Sequence, residues 1–196
     1  MTVSTVAINR QMRDFDHRDS FWLFGYGSLL FKAGFCYLEH RPATISGWSR
    51  RFWQGSHDHR GTAHAPGRVV TLVEDPGAQC TGMAYRITPD VLEPLDVREK
   101  NGYLRFTAEL SFHDGGADRG LVYIATADNP AFLGPAPMSE MACQIASAAG
   151  PSGPNRDYLL GMARALRELR VHDPHVLALE EALLVRERGP RRSGSG

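Results

Sequence analysis

The chain has 196 residues, 42% apolar and 22% charged, which suits one soluble domain large enough to bury a substantial core. Lys plus Arg and Asp plus Glu each number 22, the formal charge is zero, and the two signs are interspersed, which excludes the basic field that attracts nucleic acid or an anionic membrane surface. Three scattered cysteines, Cys36, Cys80 and Cys143, form no Cys-x-x-Cys pair and fit free thiols in a reducing compartment.

Residues 1–20 are polar and unpatterned and predict a disordered N-terminal arm. A single domain is expected over 21–187 and a disordered tail over 188–196. Strands are predicted over 22–25, 43–54, 68–72, 81–87, 104–112 and 120–125, several of them alternating apolar and polar residues. Leu104, Phe106, Ala108, Leu110 and Phe112 form one such face, and Asp114-Gly115-Gly116 supplies a turn that makes 104–125 a hairpin. A short helix is predicted over 89–95, capped by Thr88. Met141, Ile145 and Ala148 recur at helical spacing in 139–149, as do Leu159, Met162, Leu166 and Leu169 in 156–169. Asp173-Pro174 opens a last helix to about residue 186. Strands first and helices last predict an α+β fold, a small closed or nearly closed β-barrel with packed helices, because closure removes exposed sheet edges. No apolar run approaches the ~20 residues that span a bilayer. The N-terminus lacks the h-region of a signal peptide. The expected location is the cytoplasm.

Two features carry chemistry. Phe24-Gly25-Tyr26-Gly27-Ser28-Leu29 follows an apolar run, and its bare backbone can bend sharply and point successive N–H groups into one concavity that holds an anion. It is neither a P-loop, since no Gly-Lys-Ser/Thr follows, nor a dinucleotide turn, since the third glycine is missing. Glu99 lies in Leu95-Asp96-Val97-Arg98-Glu99-Lys100-Asn101-Gly102-Tyr103, where a carboxylate can serve as acid and base or simply be one more solvated charge. His57-Asp58-His59-Arg60 contains a His-x-His, but no third and fourth ligands stand out, so no metal and no cofactor are expected. Cys36 has no neighbouring base and reads as a small core residue, and Trp48 and Trp53 also read as core.

Five stretches in order give these signals a joint meaning. They are the glycine turn; Gly55-Ser56-His57-Asp58-His59-Arg60-Gly61-Thr62 with Pro66-Gly67-Arg68-Val69-Val70-Thr71-Leu72; the run around Glu99; Asp128-Asn129-Pro130-Ala131-Phe132-Leu133-Gly134-Pro135-Ala136-Pro137; and Gly150-Pro151-Ser152-Gly153-Pro154-Asn155-Arg156-Asp157-Tyr158-Leu159. From about Phe21 to Glu187 the chain resembles the ChaC family, the glutathione-specific γ-glutamylcyclotransferases, and most closely its shorter-form branch. It departs from that pattern at Leu30-Phe31 and at Asn101, where glycine is frequent.

The resemblance implies a cyclotransferase-type barrel. It also implies a small-molecule substrate, glutathione, cleaved to 5-oxoproline and cysteinylglycine without cofactor, metal, nucleic acid or membrane. In that reaction the α-amine of the γ-glutamyl group attacks its own γ-carbonyl, so no enzyme nucleophile is needed. Glu99 is the expected acid and base. Gly25, Tyr26, Gly27, Ser28, Leu29 and Leu30 would form the cradle for the α-carboxylate or the oxyanion. Tyr158 would bond the substrate or Glu99, and Arg60, or Arg68, would pair with the glycine carboxylate of glutathione. The alternatives are a cyclotransferase for other γ-glutamyl peptides or amines and a non-catalytic ligand-binding or regulatory module of the same fold. The sequence does not fix an oligomeric state.

Overall fold

In the computed structural model, which describes residues 4–15 and 17–188, the apolar run after the arm forms strand β1 (Phe21–Gly25), buried at every position. Trp22 and Phe24 enter one core cluster, while Phe21 and Leu23 enter another. A strand buried on both faces reads as a continuous apolar run, which is why alternation is absent here.

The remaining long strands are β2 (Glu39–Ser56), β3 (Gly67–Ile87), β4 (Tyr103–Phe112) and β5 (Ala117–Ala125). They close a barrel in the order β1-β3-β2-β4-β5. Every neighbouring pair is antiparallel except β5 and β1, whose parallel pairing completes the ring. The hairpin expected over 104–125 is the β4–β5 pair.

The strands predicted over 68–72 and 81–87 are two limbs of the single β3. Its register with β2 passes from Ser46↔Gln79 to Trp48↔Glu74, so residues 75–78 bow out opposite Gly47, whose φ is +84°. Pro76-Gly77 lies in this excursion, and that pair makes the sequence read as a break. A second irregularity, between Arg51↔Thr71 and Gln54↔Val69, sets Phe52 and Trp53 against the lone Val70. Such a bulge takes backbone groups out of the ladder and frees them for other partners.

After a 3-10 turn at Pro89–Val91, helix α2 (Leu92–Arg98) leads to the charged run; Thr88 stands at the cap position without a side-chain capping bond. Helices α3 (Met138–Ser147), α4 (Asn155–Glu168) and α5 (Pro174–Arg188) pack on the barrel. Met141 and Ile145, then Leu159, Met162 and Leu166, then Val176, Leu179 and Leu183 are buried, each set at helical spacing. Asp173 Oδ1 accepts the Val176 N–H at 3.1 Å, the predicted cap of α5. Between α3 and α4 the two-residue strands β6 (Ala149–Gly150) and β7 (Gly153–Pro154) pair with each other. Trp48 and Trp53 are partly buried against the core, while Cys36 is exposed rather than a core residue. No helix among the described residues is long and apolar enough to cross a membrane.

The described part of the N-terminal arm differs from the expectation of disorder. It forms a one-turn helix, α1 (Val6–Asn9), and Phe15 stacks on Phe21 with ring centroids 4.8 Å apart. Asn9 donates to the Tyr103 carbonyl at 3.0 Å and accepts the Arg105 N–H at 2.9 Å. The reason is an open edge: β4 pairs with β2 only at Phe112 and Ser111, so the start of β4 needs partners, and Asn9 supplies them. One asparagine and one phenylalanine leave no periodic signal in a polar segment. The tail residues 189–196 lie outside the described residues.

Candidate active site

One end of the barrel, where the turn after β1, the loop 57–66 after β2 and the end of α2 converge, encloses a cavity of about 350 Å³. That volume is in the range of small-molecule sites, roughly 300–1,000 Å³. Gly25, Tyr26, Gly27, Ser28, Leu29, Arg60, Glu99 and Tyr158 all line it. Leu30 does not, and here the sequence reading is corrected. Ser28–Leu30 wind into a 3-10 turn, the Leu30 N–H is spent on the Gly27 carbonyl at 3.0 Å, and its side chain lines a separate depression beside Phe31 and Arg164.

The glycines serve close approach. A Cβ on Gly25 would stand 2.5 Å from the Leu29 Cβ, so the turn could not fold back as it does. A Cβ on Gly27 would stand 3.1 Å from Val70 Cγ2 and 3.2 Å from the Tyr158 hydroxyl, inside the cavity wall. The first N–H groups of the turn that begins at Ser28 have no acceptor within it, as at any helix start. Tyr26 contributes backbone, because its hydroxyl donates to the Tyr123 carbonyl at 2.7 Å and its own carbonyl takes Arg50 Nε at 2.7 Å.

Glu99 caps α2 with φ −92° and ψ 12°, in the sparsely populated bridge region. Helical spacing separates the two acids of the run. Asp96 points inward to Arg105, 2.6 Å away, and to the Tyr123 hydroxyl at 2.8 Å. Glu99 lines the cavity with 18% of its side chain exposed. Burial pushes its carboxyl pKa up, Arg98 and His59 pull it down, and Asp58 adds a further upward push. Arg98 joins the two halves of the site: Nε lies 3.4 Å from Glu99 Oε1, Nη2 donates to Ser28 Oγ at 2.7 Å, and Nη1 donates to the Ala33 carbonyl at 2.6 Å. The backbone behind Glu99 is pinned as well. The N–H and hydroxyl of Thr5 both meet the Lys100 carbonyl at 3.1 Å, and Asn101 Nδ2 donates to the Gly55 carbonyl at 3.1 Å, which gives the departure at Asn101 a structural use.

The bulge on β2 shapes the opposite wall. Val70, opposite the extra residue, gives its N–H to the Tyr158 hydroxyl oxygen at 3.4 Å, and its carbonyl accepts the Tyr103 hydroxyl at 2.6 Å. The Tyr158 oxygen is therefore an acceptor toward the protein, leaving its proton to donate. Arg60 lies over the Tyr158 ring at 5.7 Å and donates to the Pro154 carbonyl at 3.2 Å. Arg68, the other candidate for a carboxylate, is buried and spent on the carbonyls of Phe52 and Gly134 and on Gln144. Asn155 holds the Arg68 backbone at both its N–H and its carbonyl. Arg98, Tyr103 and Asp58 line the cavity without having been singled out from sequence. Arg98 and Tyr103 bracket Glu99 in one motif, the only signal they gave; the bulge that recruits Tyr103 gave none.

The family model described as ChaC-like protein matches residues 21–187. The chain belongs to the ChaC-like family. Among curated ChaC-like relatives, it is 46% identical over 170 residues to "Gamma-glutamylcyclotransferase 2-3" of Arabidopsis thaliana, covering 81% of this chain and 85% of that one. It is 44% identical over 179 residues to "Glutathione-specific gamma-glutamylcyclotransferase 1" of Danio rerio, covering 85% and 90%. A crystal structure of the yeast γ-glutamylcyclotransferase specific to glutathione superposes with a TM-score of 0.79 at 33% identity, over 85% of this chain and 96% of that one. The ChaC-like fold is thus the closed barrel with packed helices described above.

Proposed function

We propose that this chain is a glutathione-specific γ-glutamylcyclotransferase, a cofactor-independent carbon–nitrogen lyase that releases 5-oxoproline and cysteinylglycine. The observation that carries the reading is that Glu99 and the glycine turn line one cavity and are tied together by Arg98.

The N–H groups of Gly27, Ser28 and Leu29 receive the α-carboxylate of the γ-glutamyl group. Held bent, the α-amine faces its own γ-carbonyl, and ring closure from such a pose carries an effective molarity on the order of 10⁵–10⁸ M. Glu99 takes a proton from the ammonium; the freed lone pair attacks the carbonyl carbon. The tetrahedral intermediate places its oxyanion toward the Tyr158 O–H. Its collapse breaks the bond to the cysteinyl nitrogen, which receives the proton from Glu99; the freed carboxylate then takes the second proton lost by the ring nitrogen and passes it to the departing amine, which leaves as an ammonium. An ordinary glutamate, with pKa ~4.3, is a poor base for an ammonium, and the raised pKa of Glu99 narrows that gap. Arg60, at the mouth beside Tyr158, pairs with the glycine carboxylate at the far end of the substrate. The free thiols of Cys36, Cys80 and Cys143 fit action in the reducing cytoplasm.

The test is incubation of the full chain with glutathione and, separately, with γ-glutamyl-alanine, reading 5-oxoproline. Glutathione is expected to be much the faster substrate, because the alanine compound stops short of Arg60. Equal rates would transfer the reading to γ-glutamyl compounds in general, and product from neither with folded protein would overturn it.

A further inference from the structure

Among the described residues, the buried side-chain oxygens and nitrogens without a hydrogen-bond partner are Oδ1 and Oδ2 of Asp58, each with less than 1 Å² exposed. Asp58 sits in the loop after β2 and lines the cavity with Glu99 and the glycine turn. None of the basic side chains lining the cavity bonds Asp58. His59 Nδ1 meets Ser152 Oγ at 3.1 Å, Arg60 reaches the Pro154 carbonyl, Arg98 holds Ser28, Ala33 and Glu99, and Lys32 makes no ion pair with Asp58. A carboxylate withdrawn from water without donors is costly, and folds tolerate such cost mainly where a ligand supplies what is missing. The missing partner must be compact, cationic and rich in N–H. On a γ-glutamyl peptide one group qualifies, the α-ammonium. That group must also reach Glu99, and Asp58, Glu99 and Tyr103 line one cavity.

We infer that Asp58 is the anchor for the α-ammonium of the substrate, holding it beside Glu99. The inference rests on the cyclotransferase reading above. It divides the labour between two acids. Of the three ammonium protons, one passes to Glu99 and later to the leaving cysteinyl nitrogen, and another leaves the ring nitrogen through the same carboxylate to the departing amine, which goes as an ammonium. The third remains as the lactam N–H, hydrogen-bonded to Asp58, which gains and loses no proton, and this bond fixes the rotation of the amine as its lone pair turns to the γ-carbonyl. Asp58 therefore selects substrates with a free α-amine.

The experiment uses the full chain carrying Asp58→Asn, alone and combined with Glu99→Gln. The single variant reports melting temperature and turnover of glutathione. The double variant, against Glu99→Gln alone, reports binding of glutathione and of glutaryl-cysteinylglycine, the same molecule without the α-amine. Removing an unpaired buried charge should leave the melting temperature unchanged or raise it. Glutathione binding should weaken at least ~10-fold, the scale of a charge-assisted hydrogen bond, while binding of the glutaryl compound is unchanged or tighter. Equal weakening of both ligands, no weakening of either, or a lower melting temperature would overturn the anchor. Asp58→Ser repeats the comparison should Asn fail to fold, and failure of both would assign Asp58 a structural role and end the inference. If wild-type protein forms 5-oxoproline and Asp58→Asn matches it, the anchor alone falls. If wild-type forms none, the cyclotransferase reading falls first.

Discussion

Replacing Arg98 with Met separates its charge from its length. In the folded chain the guanidinium Nε is 3.4 Å from Glu99 Oε1 and its other nitrogens hold Ser28 Oγ and the Ala33 carbonyl. Coulomb's law at that distance gives ~1 kcal/mol in bulk water and ~5 kcal/mol at the effective dielectric of a protein surface. Both groups are partly solvated, with side chains 27% and 18% exposed, so the lower part of that range applies. Loss of the cation removes a charge that holds the Glu99 pKa down, so that pKa should rise. In the proposed mechanism Glu99 is the base, so the rate falls on the acid side as it protonates. A raised pKa moves that limb of the kcat/KM profile to higher pH by the same amount. Arg98→Lys keeps the charge but loses the fork that grips the turn, so it should hold the limb in place and raise KM. The assay is 5-oxoproline formation across the acid range for the three proteins. An acid limb that stays put in folded Arg98→Met would refute the electrostatic link between Arg98 and the base.

Gly27→Ala sets a methyl 3.1 Å from Val70 Cγ2 and 3.2 Å from the Tyr158 hydroxyl, with φ at −111°, so the cost to folding should be about 1 kcal/mol while KM rises clearly; an unchanged KM would count against the cradle. His175 bears on stability rather than chemistry. Its Nε2 accepts the Phe52 N–H at 3.0 Å, and burial lowers its pKa from 6.5 to about 4. The folded pKa is the lower one, so the unfolded chain binds the proton first. The contribution of the neutral ring is whole above about 6.5 and is lost as pH falls toward about 4, up to ~3 kcal/mol in all. Urea midpoints at pH 7 and pH 4.5 should therefore converge in His175→Gln, which keeps an acceptor for Phe52, and an identical slope in both proteins would contradict this.

Local signals made much of the fold legible. Alternation at Leu104 through Phe112 and the turn at Asp114-Gly115-Gly116 gave the β4–β5 hairpin, and Asp173-Pro174 gave the start of α5. Signals that depend on pairing were not legible. Pro76-Gly77 broke a strand that in three dimensions only bows outward, and the bulge at Phe52-Trp53 has no mark in the sequence although it frees Val70 for Tyr103 and Tyr158. The same contrast divides the site. Glu99 and the glycine turn stood out because their residue types announce a chemistry. Asp58 was passed over inside a His-x-His motif, since what distinguishes it is the absence of partners for buried oxygens, a property of packing. Leu30 was included because the cradle was drawn to the end of a 3-10 turn whose last N–H is spent on the Gly27 carbonyl, a closure that only the folded backbone shows.

The proposed catalysis depends on one proton carrier. Glu99→Gln keeps the shape of the side chain and removes its ability to accept a proton. Its rate of 5-oxoproline formation from glutathione, measured on protein with the wild-type melting profile, should fall at least ~100-fold while glutathione still binds. A folded Glu99→Gln protein that turns glutathione over at the wild-type rate would contradict it.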